Sequence, residues 1–248
     1  MSALSGRVAV VTGADQALGH GLALAIGTSG ARVALVGDAT TLTPVADTIR
    51  DRGGHAAAFD AVLTERADLE RAFAAAADTF GDPVTALVHT AMNRAAFEQL
   101  DFADVDDARW ELIWEGTMRA ALALLQASYT PLHGRDGRIV FVAPTVSMSG
   151  AERLVPYTTA LEGQRLLAKS AARQWGPDGI TVNTVAVAPE QVPIGVASAA
   201  TSLAPPALGG PGQPEADVGP VVTFLLGAAG RFVTGSTLSI DGGVWMAP

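Results

Sequence analysis

The chain contains no cysteine, and this absence excludes several kinds of chemistry. Without thiols it can form no disulfide, no thiolate nucleophile and no zinc–thiolate centre. Its four histidines, at positions 20, 55, 89 and 133, show no metal-ligand spacing. Paired carboxylates such as Asp106 and Asp107 are typical of a solvated helix start. We therefore expect no metal site and no cysteine-based catalysis.

Basic residues and long apolar runs are also scarce. Lys and Arg number 16 against 25 Asp and Glu, so the net charge is −9 and the pI is near 4.8. Nucleic-acid phosphates are bound by basic stripes, so this acidic balance argues against a nucleic-acid partner. The apolar runs are too short to span a membrane, and the first residues lack the pattern of a secretory leader. We expect a cytoplasmic protein that binds neither nucleic acid nor membrane.

Hydrophobic residues, by contrast, make up 49% of the 248 positions, enough for a sizeable core. No Pro- or Ser-rich linker and no fixed-period repeat divides the chain. We therefore predict one domain over residues 1–248.

Short β-branched runs alternate with longer helical patterns, which is typical of βαβ units and a parallel sheet. The predicted strands are Arg7–Thr12, Arg32–Val36, His55–Phe59, Val84–Val88, Arg138–Val142, Thr181–Val185 and Thr237–Ile240. The predicted helices are Leu18–Ser29, Thr41–Arg52, Glu65–Phe80, Asp106–Tyr129, Pro156–Trp175 and Pro214–Ala228. Several strands are continuous apolar runs, as expected when helices cover both faces. The fold class is α/β, a doubly wound parallel sheet of about seven strands.

Ligands of such sheets bind outside the carboxyl ends of the strands. The connections after the first, fourth and fifth predicted strands are therefore the places to search for chemistry. The segment Pro189–Gln213 is rich in Gly, Pro, Ala and Ser and has no clear period. We predict a mobile loop there, next to the substrate.

Several segments resemble those of the short-chain dehydrogenase/reductase family. They are the glycine turn Thr12–Gly19, Gly30–Val33, Asp178–Asn183, Gly209–Asp217, Val233–Gly235 and Ile240–Gly243. A lone glycine turn is a weak signal, but these segments follow one another over the whole chain. The chain is similar above all to the branch that reduces 3-oxoacyl thioesters and related ketones. The resemblance implies a single Rossmann-type domain that transfers hydride to or from a nicotinamide.

The resemblance also implies a proton relay of tyrosine, lysine, serine and asparagine. Tyr157 takes the tyrosine position, and Leu161, four residues later, stands where the lysine belongs. Pro144 occupies the serine position and Thr117 the asparagine position. An unassisted phenol has a pKa of about 10 and is a poor relay at neutral pH. Tyr157 is thus the one retained catalytic candidate, and we expect it to pack or to form a hydrogen bond rather than react.

Other side chains offer only partial substitutes. Arg165 and Lys169 lie about 12 and 18 Å beyond Tyr157 along a helix, too far to act as the missing lysine. Ser147 or Ser149 would have to swing in from the following loop.

Two further polar residues lie at strand ends. His89, at the carboxyl end of the fourth strand, and Glu190, after the sixth, are candidates for an unfamiliar relay. For His89 the favoured interpretation is a hydrogen-bonded loop residue.

A related branch, the halohydrin dehalogenases, keeps the serine and tyrosine and replaces the lysine by arginine. Leu161 and Pro144 also argue against membership of this branch.

The cofactor positions implied by the resemblance are altered as well. They are Gly13, Asp15, Ala17, Leu18, Gly19, Asp38, Val62 and Thr90. Ala17 replaces a glycine that lets the backbone approach the pyrophosphate. Asp38 would repel a 2′-phosphate, so NAD is favoured over NADP.

Three more features weaken the expected nucleotide site. Val62 replaces an aspartate that contacts adenine, and Asp60 could take its place only after a local shift. Met92 replaces a glycine that leaves room for the adenosine ribose. We also expect the Asp15 side chain to satisfy the first helix N-terminus itself, leaving less need of a phosphate. The prediction is no cofactor, or weak NAD binding.

The helices around 106–129 and 156–175 carry more apolar surface than one core-facing stripe requires. The resemblance implies that they pair with a neighbouring subunit in a four-helix contact of a tetramer.

Three functions follow as hypotheses. The leading one is a non-catalytic subunit that forms a hetero-oligomer with an active paralogue and stabilises it. The second is an atypical NAD-dependent oxidoreductase of alcohols or ketones, and the third is binding of an acyl or aromatic ligand without turnover.

Overall fold

A seven-stranded, wholly parallel sheet forms the centre of the protein in the computed structural model, which describes residues 2–192 and 204–246. The strands lie in the order β3-β2-β1-β4-β5-β6-β7. Their bounds are β1 Val8–Thr12, β2 Arg32–Gly37, β3 His55–Asp60, β4 Val84–His89, β5 Arg138–Pro144, β6 Thr181–Val187 and β7 Thr237–Ile240. This is the predicted α/β class.

Helices connect the strands across both faces. They are α1 Ala17–Thr28, α2 Ala39–Asp51, α3 Arg66–Phe80, α4 Asp107–Trp114, α5 Ala120–Leu132, α6 Val146–Ser149, α7 Val155–Trp175 and α8 Gly219–Leu226. Alternate strand residues enter two separate apolar cores. On β1, for example, Ala9 and Val11 face one core while Val8 and Val10 face the other. This period of two is the side-chain alternation of a strand, and it explains why β1 is buried along its whole length.

The predicted helices and strands are confirmed to within a few residues, but two π-helical turns and the short helix α6, where a loop was expected, were not predicted. Glu115–Arg119 joins α4 to α5, and Pro214–Val218 precedes α8. A π turn inserts one extra residue and shifts the apolar pattern by one position, and a pattern read over a few turns does not distinguish this shift from an ordinary irregularity.

The order of the strands reverses between β1 and β4, which places a crevice at their carboxyl ends. Within the predicted loop Pro189–Gln213, a short 3₁₀ turn forms at Pro189–Gln191, and residues 193–203 lie outside the described residues. The assignment of one domain to residues 1–248 stays a prediction. Among the helices described, none is both long and apolar enough to cross a membrane.

Candidate functional site

The glycine turn after β1 packs directly against the connection that follows β4. Gly13 has a φ of +78°, and a Cβ there would lie 2.4 Å from the backbone N of Ala91. A Cβ on Gly19 would lie 2.4 Å from Oγ1 of Thr90. Thr90 is buried, and its hydroxyl donates to the carbonyl of Thr12 at 2.7 Å. These glycines are therefore required by packing within this chain, whether or not a cofactor binds.

Asp15 does not cap α1, so the expectation that it satisfies this helix terminus was wrong. Gln16 is the N-cap residue, and no side chain caps it. Asp15 instead accepts a hydrogen bond from the guanidinium of Arg94 at 3.1 Å. Two opposite charges attract more strongly than a carboxylate and a helix dipole, since the dipole amounts to about half a charge. The pair links the glycine turn to the connection after β4.

A cavity of about 520 Å³ opens beside this turn. Its described walls come from residues 15–18, from the connection between Met92 and Phe97, and from residues 190–192 after β6. Ala17 is exposed at its rim, whereas Leu18 is buried beneath it. A second cavity, of about 500 Å³, lies between residues 63–65, the end of β4 and the π turn at Glu115–Arg119. We call these the first and the second cavity.

Met92 lines both cavities. Its half-buried side chain packs against one of the two apolar cores. Among the described lining residues, Met92 is the one that the two cavities share.

Two carboxylates at the ends of β2 and β3 hold the start of α2. Asp38 is its N-cap and accepts hydrogen bonds from the backbone N and the hydroxyl of Thr40. The side-chain hydrogen bond from Thr40 is the main reason that the pKa of Asp38 lies below its ordinary value. Asp60 accepts from the backbone N of Ala39 at 2.8 Å. Val62 is 56% exposed, and its place at the adenine stays a prediction.

Tyr157 is enclosed. It lies on the first turn of α7, its side chain is 1% exposed, and its ring meets Phe97 edge to face. Its hydroxyl has no hydrogen-bond partner in the described parts of the chain. Burial without such a partner raises the pKa of the phenol above its ordinary value.

The other three relay positions are also buried and supply no proton donor to Tyr157. Leu161 lies one turn further along α7 and is 5% exposed, and Pro144 ends β5. Thr117 lies within the π turn, and its hydroxyl is buried without a partner in residues 2–192 or 204–246. Apolar side chains therefore surround Tyr157.

The alternative donors are engaged elsewhere. Ser147 donates to Glu162 at 3.1 Å, and Arg165 forms an ion pair with the same carboxylate. Ser149 bonds to the carbonyl of Val146. Lys169, the last of the proposed substitutes, is exposed on the distal part of α7. No swing of Ser147 or Ser149 into the serine position is visible.

His89 is buried, and its Nδ1 lies 2.7 Å from Oγ1 of Thr12. Burial lowers the pKa of His89 to about 4, so the ring is neutral at pH 7. The His89 ring also contacts the ring of Phe141 edge to face. The hydrogen-bonded interpretation of His89 therefore agrees with its surroundings. Within residues 2–192 and 204–246, no cluster of three or more possible metal ligands occurs.

Sequence reasoning missed Phe97 and Arg94. Both belong to a 3₁₀ turn, Arg94–Phe97, in an irregular connection where no periodic pattern fixes side-chain direction. Neither residue belongs to a motif of the family segments, so the sequence offered no signal for them.

Comparisons with known proteins match the chain over nearly its whole length. The family model described as enoyl-(acyl carrier protein) reductase matches residues 13–245. The cyclohexanol dehydrogenase of Acinetobacter sp. (strain SE19) is 32% identical, covering 95% of this chain and 94% of the relative. The 3-oxoacyl-[acyl-carrier-protein] reductase FabG of Vibrio cholerae is 28% identical, covering 98% and 99%. A crystal structure of a dehydrogenase/reductase from Sinorhizobium meliloti 1021 superposes with a TM-score of 0.86 at 26% identity, covering 98% and 97%.

Proposed function

Because the chain belongs to the short-chain dehydrogenase/reductase family and resembles its 3-oxoacyl reductases, we propose that it is a subunit without dehydrogenase activity that assembles with an active member of that family. The observation that carries this proposal is the enclosure of Tyr157 beneath Phe97, with Leu161 in place of the lysine.

Proton transfer requires a donor within hydrogen-bond reach of the substrate and a pKa close to the working pH. The Tyr157 hydroxyl meets neither requirement, since it is buried and burial raises its pKa. A nearby cation would lower that pKa, but Leu161 carries no charge and the Arg165 guanidinium is paired with Glu162. The family's relay therefore has no working proton donor in this arrangement.

Weak or absent NAD binding is part of the same proposal. A dinucleotide lying across the carboxyl ends of β1 and β4 would have to pass the side chain of Met92, which lines both cavities. Its pyrophosphate would also meet the Asp15 carboxylate, which already pairs with Arg94. Binding would have to overcome the repulsion between these two anions and displace the methionine side chain.

The surface of the long helices supports a role in assembly. Trp110 and Trp114 stack with ring centroids 6.0 Å apart. Trp110 is 36% exposed, Leu122 44% and Leu166 65%. Aromatic and aliphatic side chains of this kind anchor protein–protein contacts. In the proposal, these residues of α4, α5 and α7 face a neighbouring subunit.

The test combines cofactor binding with assembly. Calorimetry with NAD, NADH, NADP and NADPH should show no binding at millimolar cofactor, while an active member from the same genome serves as the positive control. Co-expression of the two chains should give mixed oligomers by ultracentrifugation. Leu166→Glu should prevent mixed assembly, and Ala75→Glu, on the exposed face of α3, should not. Micromolar NAD binding, or self-assembly alone, would contradict the proposal.

A second candidate function is an NAD-dependent oxidoreductase acting on an alcohol or ketone. The names of the relatives, a cyclohexanol dehydrogenase and 3-oxoacyl reductases, favour it. It requires Phe97 to move away from Tyr157 when substrate binds. NADH oxidation with cyclic and acyl ketones, lost in Tyr157→Phe, would establish this function.

A further inference from the structure

The first cavity has an apolar floor. Leu18 and Val192 are 3% and 7% exposed, and Phe97 completes this wall. Its volume of about 520 Å³ falls within the range of small-molecule sites, about 300–1,000 Å³. An occupant would thus place a hydrocarbon ring or short chain against these three side chains.

The charges on the walls do not cancel. Arg94 is paired with Asp15, whereas Glu190 makes no ion pair with any described residue. Residues 193–203 contain no charged side chain, so they do not alter this balance. The cavity therefore carries one uncompensated negative charge, which attracts cations and repels anions.

A second polar group also lacks a partner. The Gln191 amide donates from Nε2 to the carbonyl of Pro211, and this bond fixes the orientation of the amide. Its Oε1 is buried and accepts no hydrogen bond from the rest of the described chain. This oxygen has no accessible surface, so a ligand in the cavity does not reach it. The free acceptor of the described wall is the exposed Glu190 carboxylate.

We propose that the first cavity binds a small apolar amine, with its hydrocarbon part against Leu18, Phe97 and Val192 and its ammonium group at Glu190. An ammonium supplies both the positive charge and the N–H donors that this carboxylate lacks. A carboxylate, or the pyrophosphate of a dinucleotide, would supply neither. This site is independent of whether the chain assembles with an active relative.

Three ligands of nearly equal size separate the contributions. Benzylamine, benzyl alcohol and benzoate are titrated calorimetrically into the full chain at pH 7. Benzylamine should bind at least about tenfold more tightly than benzyl alcohol, a factor equal to roughly 1.4 kcal/mol. Benzoate should not bind. Equal affinities, tighter binding of benzoate, or no binding of benzylamine would overturn the proposal.

Variants then assign the binding to this cavity. Glu190→Gln should reduce the preference for benzylamine over benzyl alcohol to about twofold or less, since the charge is lost. Glu111→Gln, an exposed carboxylate on α4 outside the cavity, should leave the preference unchanged. Ala17→Trp, at the exposed rim, should abolish binding of both ligands. A preference that survives Glu190→Gln would sink the proposal, whereas NAD binding that does not compete with benzylamine bears on the proposed function alone.

Discussion

The ring of Phe97 lies edge-on against the ring of Tyr157, with centroids 5.7 Å apart and planes at 87°. Phe97 also lines the first cavity, so it stands between that cavity and the phenol. Such aromatic pairs are favourable by about 0.5–1.5 kcal/mol beyond the area they bury. The contact stabilises the fold and closes the one catalytic position that the family resemblance preserves.

Tyr157→Phe should leave the free energy of unfolding unchanged or raise it by about 1 kcal/mol, because it removes a buried hydroxyl without a partner. Tyr129→Phe is the matched control. Tyr129 donates to Asp178 at 3.0 Å, so the loss of its hydroxyl should lower the free energy of unfolding. Urea denaturation measures both changes. A larger loss for Tyr157 than for Tyr129 would show that its hydroxyl has a partner in solution.

Leu161→Lys should not restore the family's chemistry. The position is 5% exposed, and the cavity beside it has a volume of about 10 Å³, the least that admits a water molecule. Burying an ammonium there should destabilise the protein by at least about 3 kcal/mol, whereas Leu161→Met should cost less than about 1.5 kcal/mol. Denaturation curves and NADH oxidation are the measurements. A stable, active Leu161→Lys protein would instead support the oxidoreductase function.

The fold was predictable because each element has a periodic signal. Strands such as Arg138–Pro144 are apolar after their first residue, and the long helix Val155–Trp175 has a repeating apolar face. The family segments then identified the fold that these elements form. The position of Tyr157 followed from the same reasoning.

The closure of the site was not predictable, since it depends on side-chain directions in irregular segments. Asp15 lies beside a helix terminus in the sequence, but its side chain pairs with Arg94 and does not cap the helix. Arg94 is 79 residues away along the chain, and no local pattern links the two positions. The contact between Phe97 and Tyr157 was unpredictable for the same reason, because Phe97 lies in a 3₁₀ turn and not in a regular helix or strand.

The double variant Met92→Gly, Ala17→Gly should gain affinity for NAD. The first change opens the space between the two cavities, and the second removes a methyl group where the pyrophosphate would approach. Calorimetry should show a dissociation constant for NAD that is lower by at least about tenfold, equal to roughly 1.4 kcal/mol of binding free energy. Met246→Gly, at an exposed position, is the control and should change nothing. If the double variant binds no better, the Asp15–Arg94 pair is the stronger obstacle.

His89 should make the stability of the protein depend on pH between about 6.5 and 4. The folded protein lowers the pKa of His89 to about 4, while an unfolded chain has the ordinary value of about 6.5. In this window the unfolded state binds the extra proton, so stability falls as the pH falls. The loss should reach about 2 kcal/mol at pH 5 relative to pH 7.5. His89→Asn keeps a polar partner for Thr12 but cannot titrate, so its urea midpoint should fall less over the same range. His133→Asn, at an exposed position, should behave as the wild type, and equal slopes for all three proteins would show that His89 is solvated in the folded state.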